Sequence, residues 1–249
     1  MLKWDTQLKN EVLRKVLHVL LSVVLLLPFN QYFTELLQNS WGITPREYYA
    51  ALTVTAAFVN ATQIRRPLIR EELLKVMRSA RRKAMDEIKN LFLSKVSSKV
   101  TFISLVDKLD EALTKLETTF SNQIRMLERS YERVSGYIGV TLGMVSVFSS
   151  FILFGNYAFY GVLALMVVDP TTALITRLLG RKLLPMSRTS VEGVVASTIL
   201  FSLILLALGI DIIKSLSISI VAALVEAYGI EDNLSIPLAV SFFVALLGV

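Results

Sequence analysis

No Asp, Glu, Lys or Arg occurs between Arg133 and Asp169, and the stretch between them is apolar almost throughout. That one run limits the folds open to the chain. A membrane-spanning helix needs roughly 20 mainly apolar residues, and this run exceeds that length. In hydrocarbon, backbone polar groups must be satisfied within the protein, which leaves helices and closed barrels as spanning structures. Similar runs recur along the chain, and candidate spans are read at about 12–29, 46–62, 136–155, 156–168, 192–210, 214–229 and 234–249. The fourth is too short to cross about 30 Å as a straight helix. It is expected to end inside the bilayer or to continue through Pro170 as a broken helix, which lipid tolerates only beside a protein cavity.

Composition agrees. Charged residues make up 18% of the 249 residues, against about 25% in soluble domains, and the mean hydropathy is +0.60. With no cysteine, disulfides and thiolate metal sites are excluded, and a single histidine, His18, excludes multi-histidine sites. The run from Val16 lacks a small-residue cleavage site, so it is read as a retained helix and not as a signal peptide.

Residues 63–135 are different in kind. They hold 16 of the 26 Lys and Arg and 10 of the 20 Asp and Glu, so the net charge of +6 resides there. Leu105, Leu109, Leu113, Leu116 and Phe120 recur at steps of three or four, the period of a helix packing on one face. An earlier helix is expected at about 67–93, with a Ser/Lys-rich turn at 94–99. The expected fold class is therefore all-α: a polytopic membrane helix bundle of about seven transmembrane segments with a cytoplasmic helical hairpin insertion. Its parts are N-terminal membrane helices (1–62), the basic hairpin (63–135) and a membrane core (136–249).

Membrane topology follows from the distribution of Lys and Arg, which mark cytoplasmic loops. The N-terminal tail, the hairpin and the loop bearing Arg177, Arg181, Lys182 and Arg188 are basic. Segments at about 30–45, 155–156 and 209–213 are poor in Lys and Arg. Seven crossings result, with the N-terminus inside and the C-terminus outside, and four polar clusters fall on the cytoplasmic face.

The first cluster is EVLRKVLH, where Glu11, Arg14, Lys15 and His18 share one side of a helix. A helix-end Lys or Arg reaching toward the interface gives the same pattern. The second follows the apolar run. Asp169 precedes Pro170, a pairing that suits a helix N-cap and equally suits Mg²⁺, which takes one or two carboxylates plus phosphate oxygens. Arg177, Arg181 and Lys182 follow within a few turns and are suited to phosphates. The third is RTSVEG, in which Ser190, Glu192 and Gly193 form a helix entrance. It serves either as an ordinary cap or as an anion-binding set of N–H groups. In the fourth, VEAYGIEDNLSIPL, Glu226 stands at the end of an apolar run, Glu231 reads as a loop residue, and Asp232 or Asn233 can cap the next helix. Acids and bases together in a partly desolvated site suit Mg²⁺–nucleotide chemistry. Neither a G-x-x-x-x-G-K-[ST] loop nor a G-x-G-x-x-G loop is present.

With those residues in view, the chain resembles the CTP-dependent lipid alcohol kinases, the family of dolichol (polyprenol) kinase, phytol kinase and CTP-type diacylglycerol kinase. Glu11, Arg14, Lys15 and His18 match an E-x-x-R-K-x-x-H-like element. Asp169, Ala173, Arg177 and Gly180 match in part a G-D-x-x-A-x-x-x-G-R-x-x-G-like element. Ser190, Glu192 and Gly193 match K-[ST]-x-E-G. Glu226 with Asp232, Asn233, Leu234, Ile236, Pro237 and Leu238 match E…D-N-L-x-I-P-L. The chain departs from the pattern at Val168, Thr176 and Thr189, where the family has Gly, Gly and Lys. The motifs cover 11–18 and 169–238 and skip the hairpin.

The resemblance implies transfer of the γ-phosphoryl group of CTP to a membrane lipid alcohol, with a polyprenol such as dolichol as the expected acceptor. Mg²⁺ would be held by Asp169, Asp232 and Glu226. Arg14, Lys15, Arg177, Arg181, Lys182 and Arg188 would hold the triphosphate, with Ser190, Glu192 and Asn233 completing the nucleotide site. Asp169, Glu226 and His18 are the candidate catalytic groups for the hydroxyl proton. A phosphatidate cytidylyltransferase-like synthase shares two of the motifs, but its C-terminal histidine-containing signature has no counterpart here. A reading of another class is a non-catalytic membrane scaffold whose basic hairpin binds lipid or a partner. The expected partners are CTP, a lipid alcohol and the bilayer, with a homodimer through the hairpin also open. Nucleic acid is not expected, because the hairpin lacks interleaved aromatic residues.

Overall fold

A computed structural model describes residues 6–65, 69–93, 104, 108–119 and 136–249. The described residues are helical with no strand; Leu183 and Ser190 form one isolated antiparallel bridge. The chain divides into two compact units, Met1–Asn60 with Tyr137–Val249, and Ala61–Gly136.

The first unit contains α1 (Thr6–Leu26), α2 (Gln31–Trp41) and most of α3 (Pro45–Arg65). After the second unit it resumes with α5 (Ile138–Phe154), α6 (Ala158–Leu179), α7 (Val191–Ala207), α8 (Ile212–Tyr228) and α9 (Asp232–Leu247). Helix α6 is the central post: α1, α5, α7, α8 and α9 all pack on it. Its inner positions are fully buried, among them Ala164 and Val168, and they form one cluster with Phe201, Ile218, Ile236 and Val240 from its neighbours. A second cluster forms around Leu25, Tyr49, Val147 and Val162. There the Tyr49 hydroxyl donates to the Leu25 carbonyl at 2.6 Å, tying α3 to α1.

Small and hydroxyl-bearing residues accompany the aliphatic core on several inner helix faces, and much of the exterior is apolar. Helix α1 buries Lys15 and Ser22 while Leu13, Val16, Leu17 and Leu20 stand exposed. Helix α8 buries Ser215, Ser219, Ala222, Ala223 and Glu226 and turns Ile213, Leu216, Ile220 and Leu224 outward. Small inner residues let membrane helices approach closely, and a broad exposed apolar surface marks contact with a membrane or a partner. By length and composition two helical stretches can cross a membrane, Leu8–Phe29 and Ile138–Leu179, each with a hydropathy of 2.0; Val191–Ala207 and Asp232–Leu247 are apolar but shorter.

The segment at 30–45, read only as poor in Lys and Arg, contains a helix, α2. Asn30 caps it, accepting from the Phe33 N–H at 3.2 Å, and Gly42 closes it at a φ of 68°. Both are local signals for a helix boundary. Of the two alternatives for the fourth segment, continuation through Pro170 holds, but as one unbroken helix. Helix α6 passes through Pro170 and runs on to Leu179, so Asp169 is an internal residue of it and caps nothing. Its neighbours bury this stretch on several sides, and that packing outweighs the local preference of proline to end a helix.

In the second unit, α4 (Ile69–Leu93) and the helical residues 108–119 lie side by side. Arg81 pairs with Asp110 at 2.9 Å and with Glu117, and Arg78 reaches Glu117 at 3.2 Å. The expected turn at 94–99, and the seam beyond 119, lie outside the described residues.

Candidate functional site

The site begins with the spacing on α1. Steps of three and four bring Lys15 and His18 to the face that packs on α6. There they meet Asp169, which is 4% exposed. The Lys15 ammonium donates to Asp169 Oδ1 at 2.6 Å, and His18 Nε2 lies 3.5 Å from Asp169 Oδ2. Both oxygens of the buried carboxylate thus face a base. One turn earlier on α1, Glu11 pairs with Arg177 of α6 and lies 3.5 Å from Arg14. The two ion-paired groups therefore run along the α1–α6 contact.

The third carboxylate comes from α8. Glu226 is 9% exposed, and the Thr189 hydroxyl donates to its Oε2 at 3.4 Å. The charges of Asp232, Asp169 and Lys15 all act on it. Asp232 and Asn233 stand in the first turn of α9, and neither caps it: Glu231 holds the cap position, where its carbonyl accepts from the Leu234 and Ser235 N–H groups. Asn233 lies against Gly139 and Gly143 of α5.

Of the two alternatives for the third cluster, the structure shows the cap. Ser190 caps α7, accepting from the Gly193 N–H at 3.0 Å, while its own N–H donates to the Thr176 hydroxyl. Glu192 accepts from the Arg181 N–H at 3.2 Å, and the Val191 N–H donates to Lys182. These bonds lock the 180–190 loop onto α7 and use the N–H groups that an anion would need. Arg181, Lys182 and Arg188 are exposed on that loop. The structure thus joins Lys15, His18 and Asp169 directly, joins Glu11, Arg14 and Arg177 directly, and places Glu226 near the first group. It leaves the loop cations at the surface.

Several residues at the site carry no motif signal. Thr189 reaches Glu226, and Thr176 holds Ser190. Thr172, one turn beyond Asp169, is fully buried with a hydroxyl that has no hydrogen-bond partner. Beside the cluster a small cleft of ≈ 50 Å³ opens between α1, α5, α6 and α9. His18 and Asn233 provide its polar side, and Leu21, Leu25, Val140, Met144 and Leu165 line the rest with Gly139 and Gly143.

Among the described residues no three acid or histidine side chains converge as a preformed metal cage. Mg²⁺ does not need one, because it is commonly held through one or two carboxylates and the phosphates of a nucleotide. The carboxylates of Asp169 and Asp232 both act electrostatically on Glu226. No family model, curated protein or solved structure matches the chain.

Proposed function

We propose that this chain is a multi-pass membrane kinase that moves the γ-phosphoryl group of CTP to a lipid alcohol, a polyprenol such as dolichol in the first instance. The observation that carries the reading is the buried meeting of Lys15, His18 and Asp169, with Glu226 close by, inside a helical unit whose exterior is apolar. Burying an ion pair is expensive unless well compensated, and replacing one by apolar residues is often neutral or better. A chain that keeps two bases on one acid at the heart of its bundle keeps them for chemistry. In this reading about seven helices cross the membrane, and the polar face looks into the cytoplasm, where the basic loops lie.

The roles divide by charge. Lys15, Arg14 and Arg177 receive the triphosphate, with the exposed Arg181, Lys182 and Arg188 drawing the nucleotide toward the face. Lys15 already neutralises Asp169, so phosphate binding shares or transfers that ammonium. Mg²⁺, when bound through Asp169, Asp232 and Glu226, would offset the charge of the phosphates. The acceptor hydroxyl forms the new O–P bond as the bond between the γ-phosphorus and its bridging oxygen breaks. CDP leaves, and the hydroxyl proton passes to Asp169, Glu226 or His18.

The test is purified protein with labelled CTP, Mg²⁺ and a panel of long-chain alcohols. The reading expects label on the prenol. A CDP-lipid and pyrophosphate formed from a lipid phosphate would instead establish the cytidylyltransferase reading. Asp169→Asn and Asp232→Asn proteins with full activity would remove those residues from the metal role. Partner binding by the 63–135 segment, with no nucleotide effect on the full protein, would favour the scaffold.

A further inference from the structure

We propose that α2 lies in the plane of the membrane, seated at the boundary between headgroups and acyl chains of the leaflet away from Lys15, through an apolar half that includes Tyr32, Leu36 and Trp41. The proposal rests on the first unit being embedded in a bilayer and needs no part of the kinase reading. At 3.6 residues per turn, the eleven residues of α2 sort into two halves. Tyr32, Phe33, Leu36, Leu37 and Trp41 fall on one, interrupted only by Ser40, and Gln31, Thr34, Glu35, Gln38 and Asn39 fall on the other. The apolar arc spans about 180°, wider than the stripe of roughly 100° that packing on a core requires. Protein covers only its middle. Leu37 is buried, and Phe33 meets the Tyr48 ring edge-on with centroids 5.8 Å apart. On one flank Tyr32 is 84% exposed and Leu36 61%, and on the other Trp41 is 74% exposed.

The neighbouring chain fixes the level at which this half acts. A 3-10 turn, Leu27–Phe29, and the cap Asn30 join α2 to the end of α1, and residues 42–44 join it to the start of α3. Those two helix ends are themselves bonded: the Tyr48 and Tyr49 hydroxyls donate to the Val24 and Leu25 carbonyls at 3.0 and 2.6 Å. Both ends of α2 are therefore tied at the level where α1 ends, and the Thr34 hydroxyl adds a bond to the Pro28 carbonyl at 2.9 Å. The apolar surface continues from there onto the exposed Val23 and Val24 of α1, whose stretch Leu8–Phe29 is long and apolar enough to cross a membrane. The end of such a stretch lies at the interface, where Trp and Tyr seat an apolar ring and keep a polar edge wet. An amphipathic helix there sinks its apolar face about 5–10 Å into the headgroup–acyl boundary. Charge narrows the occupant further. Helix α2 has no Lys or Arg, and its one acid, Glu35, accepts from Gln31 at 2.8 Å on the polar half. The seat is thus apolar burial, and anionic headgroups find no cation on it.

Tryptophan reports the depth directly, because the chain has only Trp4 and Trp41. The experiment places the full chain in vesicles of neutral phosphatidylcholine whose acyl chains carry bromine near the carbonyl end or near the tip, and repeats it with anionic phosphatidylglycerol mixed in. Trp4→Phe leaves Trp41 alone. Its emission should be blue-shifted from that of the unfolded chain and should lose more intensity to bromine near the carbonyl end than to bromine at the tip, equally with and without the anionic lipid. In a chain with both Trp4→Phe and Trp41→Phe, Leu36→Trp should behave as Trp41 does. Gln38→Trp, on the polar half, should emit as in water and escape both bromines. Misfolding does not give that opposition. Leu20→Trp in the same background, exposed midway along Leu8–Phe29, is the reference for a spanning helix and should be quenched most by bromine at the tip. If Leu20→Trp is quenched while Trp41 and Leu36→Trp are not, the proposal falls and the embedded unit stands. If Leu20→Trp also escapes, both fall. Quenching of Gln38→Trp as strong as that of Leu36→Trp would overturn the proposal too, since α2 would then be immersed and not seated. Blue-shifted Trp41 emission that no bromine reaches, and that shifts to the red as the protein is diluted in lipid, would assign the face to a second copy instead.

Discussion

Asp169 is the residue on which the site turns, and its environment makes its replacement informative. Removing one member of a buried pair strands the other charge, a loss of about 3–5 kcal/mol. Asp169→Asn and Lys15→Met should each lower the melting temperature, and the double variant should lose much less than their sum. Thermal melts of the four proteins measure that coupling, and additive losses would mean that the 2.6 Å contact is not maintained in the membrane. Thr172 makes the opposite case. Its hydroxyl is buried and has no hydrogen-bond partner, a state that costs about 1–3 kcal/mol. Thr172→Val removes the hydroxyl at nearly constant volume, so it should hold or raise the melting temperature; a clear fall would show that the hydroxyl is engaged. The sequence already pointed to Lys15, His18 and Asp169, through helical spacing and through acid placed after a long apolar run. It did not point to Thr172, and it marked Thr189 only as a departure from a motif. A hydroxyl on an apolar helix looks the same whether it faces lipid or a carboxylate, and only packing distinguishes the two.

Among the elements, α6 and α9 pass closest where Gly161 faces the carbonyl of Pro237 and the hydroxyl of Ser241. A methyl there has nowhere to go without moving backbone. Gly161→Ala should destabilise the first unit by about 1–3 kcal/mol, while Gly143→Ala, with an ordinary contact to Asn233, should not. Melting the two side by side checks the assignment. The length of α6 was the least legible feature of the sequence. Pro170 signals an ending or a break, and a local reading leaves both open. Burial of Val168, Asp169, Pro170 and Thr172 by several neighbouring helices decides otherwise. Helix α2 was missed for a different reason. Its eleven residues mix Tyr, Phe and Leu with Gln, Asn, Thr and Ser, too short and too polar to stand out beside the long runs. Its boundaries were nevertheless written in Asn30 and Gly42.

For the whole molecule, the reversed distribution of polarity is the strongest support for a bilayer setting. It also makes topology directly measurable, because the chain has no cysteine and every introduced thiol is unique. Single cysteines at Met186 and Ile230, both fully exposed between helices, should be labelled by a membrane-impermeant maleimide from the same side. A cysteine at Gly209, in the turn between α7 and α8, should be labelled from the other side only. Labelling of all three from one side would reject the multi-pass arrangement. The all-helical class was readable from the periodicity and hydropathy of the sequence. The cleft was not, since its walls come from four helices that are distant in the chain.

Helix α6 also has a mechanical property. Proline at position 170 has no N–H to give the Met166 carbonyl, so the rod lacks one axial strut within a residue of Asp169. A beam yields first where a strut is absent. The half before the joint carries Leu165 and a wall of the cleft, and the half after it carries Thr176 and Arg177. Any bend at that joint would move the Leu165 half and the Arg177 half relative to each other, with Asp169 at the fulcrum.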